Sequence, residues 1–222
     1  MKYYFCTATA MLVACLSGYG LAGVGVAAEQ ADDSAGGQSA RPAGAVTIEN
    51  QTVRIVLGED GRCKTLLEKA AGRQWLRPSP GHFFYLKKQG KLFAGTKLAG
   101  DGDKLAVRFA DSGLSAVYRL TVRPRYFIVA LEQIDGDGAG EVEEIGLGRL
   151  EPTIDENIGW WLSVRWNEQF ACCALGLSDR VNTSNVGAIV YREFGMTGQQ
   201  AAFAAVPTKD LLDVIEQLPR EC

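Results

Sequence analysis

Between Trp160 and Trp166 the chain alternates strictly enough to assign faces to an extended segment. Trp160, Leu162, Val164 and Trp166 fall on one side, and Trp161, Ser163, Arg165 and Asn167 on the other. The first set suits a core. The second combines an indole that can stack on a sugar ring with a guanidinium and an amide that can donate to its hydroxyls, so Trp161, Arg165 and Asn167 form the candidate carbohydrate-binding set. The competing reading buries Trp161 under a second sheet or the terminal helix, the usual fate of a large aromatic.

Other reactive residues make weaker constellations. His82 is the only histidine and follows Pro78-Ser79-Pro80-Gly81; its ordinary pKa would suit a general base, but no Ser, Cys or acid stands at a recognisable spacing from it. It reads as a loop histidine, and the catalytic residues, if there are any, stay unknown. Asp135-Gly136-Asp137-Gly138-Ala139-Gly140 resembles a calcium loop until Ala139 fills a ligand position and Gly146 stands where the bidentate Glu belongs, which favours a Gly-rich hairpin turn. Glu141, Glu143, Glu144, Glu151, Asp155 and Glu156 supply carboxylates in the number that glycoside hydrolysis needs, but the spacing of Glu141 and Glu143 sets no catalytic separation and a solvated acidic face is expected. Cys63, Cys172, Cys173 and Cys222 lack a Cys-x-x-Cys spacing or a nearby His, so no metal or other cofactor is predicted. Adjacent Cys172 and Cys173 should point to opposite faces of a strand, leaving one exposed or unpaired, and disulfide pairing with Cys63 stays open.

Most of these residues lie in a run of short β signals from Val46 to Val206, punctuated by Gly, Asp and Asn. Val53, Ile55 and Leu57 share a face, Leu105, Val107 and Phe109 alternate with Lys104, Ala106 and Arg108, and Pro124 splits two longer runs. The expectation is all-β: an antiparallel two-sheet β-sandwich with one short C-terminal helix, in which Thr208 is the cap, Leu211, Val214 or Ile215 and Leu218 make an apolar stripe, and Pro219 is the stop.

The ends suggest export. Residues 1–28 read as a signal peptide cleaved after Ala28, with two rivals: a transmembrane anchor, and a lipid anchor through Cys15 in Leu12-Val13-Ala14-Cys15. Glu29 to Gly44 carries no bulky apolar residue and reads as a flexible tether, residues 45–206 as the sandwich, and residues 207–222 as a helix resembling a truncated connector to a further domain. The expected location is secreted or periplasmic. The formal net charge of -3, with Lys and Arg dispersed among the strands, excludes the basic stripe that nucleic acid requires.

The segment Ile48-Glu49-Asn50-Gln51-Thr52-Val53-Arg54-Ile55, followed by Gly61, Leu66-Leu67, Lys69, Gly72 and Trp75-Leu76, resembles the opening of galactose-mutarotase-like β-sandwich domains attached to glycoside hydrolases and polysaccharide lyases. The likeness spans Val46 to Leu76. It implies a large antiparallel sandwich that either acts on carbohydrate or packs beside a catalytic domain. Mutarotases of that fold use histidines with a carboxylate, and a chain whose only histidine is His82 does not match that pattern. The expected function is therefore a secreted noncatalytic module that binds sugar or supports a catalytic domain. The alternatives are a glycoside hydrolase or polysaccharide lyase acting on an extracellular polysaccharide, and an interaction protein of the cell envelope.

Overall fold

The computed structural model describes residues 45–159 and 163–221. The expected leader and tether therefore lie outside the described residues, as do Trp160, Trp161 and Cys222. The fold is the all-β arrangement the sequence predicts: two antiparallel sheets, of four and twelve strands, and one short helix.

The small sheet comprises β1 (Val46–Glu49), β2 (Val53–Leu57), β3 (Cys63–Glu68) and β4 (Arg73–Gln74), paired in chain order. Its first turn is built by Asn50, whose side-chain oxygen accepts the N–H groups of Thr52 and Val53, both at 2.9 Å. Thr52 then donates its hydroxyl to Ala205 O at 2.9 Å, tying the turn to the large sheet. Glu49 pairs with Arg54 at 2.7 Å and with Lys69 at 2.8 Å, and Lys69 also donates to Asn50 O. Val53, Ile55 and Leu57 are buried, as their alternation requires.

The large sheet uses β5 (Tyr85–Lys88), β6 (Lys91–Asp101), β7 (Lys104–Phe109), β8 (Ser115–Val122), β9 (Tyr126–Asp135), β10 (Val142–Arg149), β11 (Asn157–Gly159), β12 (Val164–Trp166), β13 (Phe170–Gly176), β14 (Val181–Ser184), β15 (Gly187–Tyr191) and β16 (Gln200–Pro207). Their order across the sheet is β11-β12-β13-β16-β9-β8-β7-β6-β5-β10-β15-β14. Strand β6 is the crease: Lys91–Ala94 pair with β5, Gly95–Asp101 pair with β7, and a register shift falls between Gly95 and Lys97. Side chains from the two halves meet across the interior. Phe84 stacks on Tyr118 with ring centroids 4.4 Å apart, Tyr118 donates its buried hydroxyl to Gly146 O at 3.0 Å, and Phe203 touches both Phe83 and Phe127. The small sheet closes onto this core where Trp75 stacks on Phe170 at 5.3 Å and donates to buried Glu68 at 2.9 Å.

Gly61 docks the small sheet on the crease. It has φ +76°, and a Cβ there would fall 1.6 Å from Gly95 O. Its own carbonyl accepts Phe83 N at 2.8 Å, and His82 Nδ1 lies 3.1 Å from Gly95 O, so the only histidine is part of this joint.

Helix α1 (Leu211–Glu221) lays Val214 and Leu218 on the outer face of the large sheet, against Tyr126, Val164, Cys173 and Val206. The predicted stripe is thus in place, but its ends differ from expectation. A 3-10 turn over Thr208–Asp210 precedes the helix, and the Thr208 hydroxyl donates to Asn167 O instead of capping. The backbone stays helical through Pro219, which in the last turn removes a single N–H rung. Among the described residues, no helix is long and apolar enough to cross a membrane.

Three further expectations are corrected. The alternating segment up to Trp166 is not one strand: Gly159 pairs with Val164, so the chain reverses between β11 and β12. Trp166 packs with Val164 in the cluster beneath α1 rather than between the sheets. The Gly-rich segment after Asp135 is not a hairpin turn, because β9 and β10 are not neighbours in the sheet; it crosses from one half to the other through a 3-10 turn at Ala139–Glu141. Cys172 and Cys173 point to opposite faces, as the alternation predicts: Cys172 faces the inter-sheet core and Cys173 the helix cluster, and both are buried free thiols, as is Cys63.

Two predictions follow from these contacts. Gly61→Ala should lower stability by ~3 kcal/mol or more, since it meets both a strained φ and a backbone oxygen, whereas Gly72→Ala, also left-handed but with open space at its Cβ, should cost ~1 kcal/mol. Equal urea midpoints for the two variants would refute the docking role of Gly61. The second concerns Glu49. Arg54 first and then Lys69 hold its carboxyl at about 2, against an ordinary 4.5. A carboxyl depressed by folding adds stability that is whole above 4.5 and is lost as the pH falls towards 2. With 33% of the side chain exposed, screening keeps the effect below ~1 kcal/mol. The stability advantage of wild type over Glu49→Gln should therefore shrink between about pH 5 and pH 2; an advantage constant with pH would contradict this.

Candidate functional site

Of the sequence-predicted set, Arg165 and Asn167 stand at the β12 end of the sandwich and Trp161 lies outside the described residues. Arg165 is turned inward. Its Nε donates to Asn185 Oδ1 at 2.8 Å, its Nη1 to Ile154 O at 2.9 Å and to Asp155 Oδ1 at 2.5 Å, and only 12% of its side chain is exposed. Asp155 also accepts Arg77 Nη2 at 2.5 Å, and the two guanidiniums, Arg165 before Arg77, hold its carboxyl below the usual range. Asn167 shapes the β12–β13 turn: its side-chain oxygen accepts the N–H groups of Gln169 and Phe170, both at 2.9 Å, and its amide donates to Glu156. Both residues therefore form structural bonds, and what Arg165 organises is Asn185.

Asn185 belongs to a two-residue turn joining β14 to β15, with Ser184 and Gly187 paired across it. Asn185 has φ 50° and Val186 φ 58°. Two left-handed residues are the preferred geometry for a tight hairpin, and Asn at the first is common, but the second normally needs Gly. A β-branched residue there is an outlier. Three contacts impose it. The Val186 side chain is fully buried, its N–H donates to Ser163 Oγ at 2.9 Å, and its carbonyl accepts Leu150 N at 3.0 Å. Ser163 is itself fully buried with φ 48°, and its hydroxyl reaches Gly187 O at 3.5 Å. Three non-glycine residues with positive φ thus meet at one place, the kind of stored strain found at ligand sites.

This turn borders a cleft of about 180 Å³ on the outer face of the sheet, where Tyr85, Arg149, Ser184, Asn185 and Ile189 surround a floor containing Gly148 and Gly187. The sheet order β5-β10-β15 brings these side chains together. The Tyr85 ring packs against Gly146, where a Cβ would be 3.0 Å from the ring, and its hydroxyl donates to Glu144 Oε1 at 2.6 Å. Burial, and after it the Glu144 carboxylate, push the phenol well above its ordinary pKa, so Tyr85 stays protonated at neutral pH. Tyr191 stands opposite Glu144 on β15. Arg149 pairs with Glu151 at 3.4 Å and keeps 43% of its side chain exposed.

The other carboxylates are engaged in the scaffold: Glu151 accepts Gly81 N at 2.9 Å, Glu143 accepts Gly90 N at 3.0 Å, and Glu141 pairs with Lys88 at 3.4 Å. Among the described residues, no group of three or more His, Cys, Asp or Glu side chains is placed to hold a metal ion. Tyr85, Arg149, Asn185 and Tyr191 were not nominated by sequence because they come from three separated strands and a turn; the one local clue is Asn185 two residues before Gly187. Compared with known proteins, the chain matches no family model and no curated sequence.

Ser163→Ala should strand the buried Val186 N–H and cost ~1–3 kcal/mol, read as a lower urea midpoint. A loss below ~0.5 kcal/mol would show that the turn does not need this hydroxyl.

Proposed function

We propose that this chain is an exported, noncatalytic carbohydrate-associated β-sandwich, of the galactose-mutarotase-like kind found beside glycoside hydrolase and polysaccharide lyase domains, and that it binds glycan in the cleft of Tyr85, Arg149 and Asn185. One observation carries the reading: an amide locked in a strained turn faces an aromatic ring and a guanidinium across a volume suited to a single small ring. Stacking on Tyr85 with donation from Arg149 and Asn185 is the recognition chemistry a sugar requires. Arg165 serves this site through Asn185 as a positioning residue. The residues behind the family resemblance act together, since Glu49, Asn50, Arg54 and Lys69 form one network and Trp75 anchors the small sheet; this supports kinship in packing. A binding role is favoured over turnover because Tyr85 is held protonated and the nearby carboxylates are engaged by cations or backbone N–H groups.

Glycan-array screening followed by calorimetry tests it. Tyr85→Ala and Asn185→Ala should each weaken binding of the best glycan at least tenfold, about 1.4 kcal/mol, measured where urea unfolding shows each variant folded. Trp161→Ala tests the stacking residue nominated by sequence in the same titration. Absence of glycan binding, or affinity untouched by the Tyr85 and Asn185 variants, would overturn the assignment; release of reducing ends or unsaturated sugar would replace it with a hydrolase or lyase.

A further inference from the structure

A second concavity, of about 580 Å³, lies beside the Gly61 joint. Its polar lining is cationic: Arg62, Lys64 and Arg77 surround it with Ser79 and Pro80, over the apolar side of Leu76 and buried Cys63. No carboxylate lines it, although the chain as a whole carries a formal net charge of -3. Lys64 and Arg77 have acidic partners outside the basin, in Asp60 at 2.6 Å and Asp155 at 2.5 Å. Arg62 forms no ion pair among the described residues; one of its nitrogens donates to Pro80 O at 2.6 Å, which fixes the guanidinium at the basin wall with further N–H groups to offer. Ser79, exposed and left-handed at φ 53°, adds a hydroxyl. Burial pushes the Cys63 thiol up to about 12, which removes it as a nucleophile and leaves electrostatic binding as the chemistry available.

Two chains of bonded groups link the surroundings of the basin to the cleft. Asp155 Oδ1 joins basin residue Arg77 to Arg165, which holds Asn185 in the cleft. Glu151 joins cleft residue Arg149 to Gly81 N, next to basin residue Pro80. Bonded side chains thus connect residues lining the cleft with residues lining or flanking the basin.

We infer that the basin binds an oxyanion substituent, a uronate carboxylate or a sulfate ester, and that the glycan of the neighbouring cleft is an anionic polysaccharide. The inference rests on the carbohydrate reading and deepens it. A fixed guanidinium without a carboxylate partner is the group that recognises a planar or tetrahedral oxyanion, and Lys64 and Arg77 supply attraction from either side. Neutral chains would use the cleft alone.

The test is an array of neutral, uronate-containing and sulfated polysaccharides, followed by titrations of polygalacturonate, dextran sulfate and unmodified dextran with wild type, Arg62→Ala/Lys64→Ala and, as a control for non-specific charge, Lys87→Ala/Lys91→Ala. Urea midpoints confirm that the variants fold. The expected result is binding of at least one acidic class, weakened at least tenfold by the Arg62/Lys64 variant, unchanged in the Lys87/Lys91 variant and falling as salt rises; whether polygalacturonate or dextran sulfate binds more tightly identifies carboxylate or sulfate as the recognised group. Binding confined to neutral glycans, or acidic binding that the Arg62/Lys64 variant leaves intact, overturns the inference while the cleft assignment stands. Binding of no glycan at all removes both.

Discussion

The close approach of Gly61 to the Gly95 carbonyl is the constraint on which the arrangement depends. A sheet of twelve strands in one plane would leave both faces wet, and the chain avoids this by creasing at β6, where a register shift at Gly95 lets the strand serve β5 with one half and β7 with the other. The crease itself tolerates no side chain, since a Cβ on Gly95 would lie 2.8 Å from Val107 Cγ1. Once the two halves face each other, the Gly58–Gly61 turn of the small sheet closes onto the crease, and both candidate sites take their positions from it. Arg62 and Lys64 follow Gly61 directly into the basin, and Tyr85 begins the strand that leaves the crease towards the cleft.

Closure also explains the cysteines. With a sheet below and α1 above, β13 is buried on both faces, so adjacent Cys172 and Cys173 each behave as small apolar side chains with titration pushed upward by desolvation. Their reactivity is correspondingly low, and the polar groups enclosed with them are satisfied: among the described residues no buried side-chain nitrogen or oxygen lacks a hydrogen-bond partner. The tight joint between the sheets thus rests on complementary shape and completed hydrogen bonding, with Trp75 between Phe170 and Glu68 as its clearest single case.

What was legible in the sequence was local. Alternation placed Val53, Ile55, Leu57, Leu105 and Val107 correctly because each lies on a strand with one wet face, and the spacing of Val214 and Leu218 announced a helix with a single apolar stripe. The failures share a cause. Trp160 to Trp166 keeps the period of a strand in its residue types, yet the chain reverses before Val164, and Ser163 adopts a left-handed backbone that its composition does not signal. The Gly-rich segment after Asp135 has the composition of a hairpin, while the partner of β10 is fixed by β5, some fifty residues earlier. The candidate site lay deeper still, because Tyr85, Arg149 and Asn185 share no spacing and meet only through the strand order β5-β10-β15.

Val186 shows how the site and the core are coupled. Glycine would adopt φ 58° without strain, so the turn could have been relaxed by one substitution. The chain keeps valine, whose side chain fills the core from the first residue after Asn185, and balances the strained backbone by burial, by the Ser163 hydroxyl and by the Leu150 hydrogen bond. A relaxed turn would leave Asn185 free to sample several orientations and to lose entropy on binding. The strained one, gripped from below by Val186 and from the side by Arg165, presents its amide in one orientation before any ligand arrives. The core packing that forces the unusual φ is thus the same packing that organises the cleft.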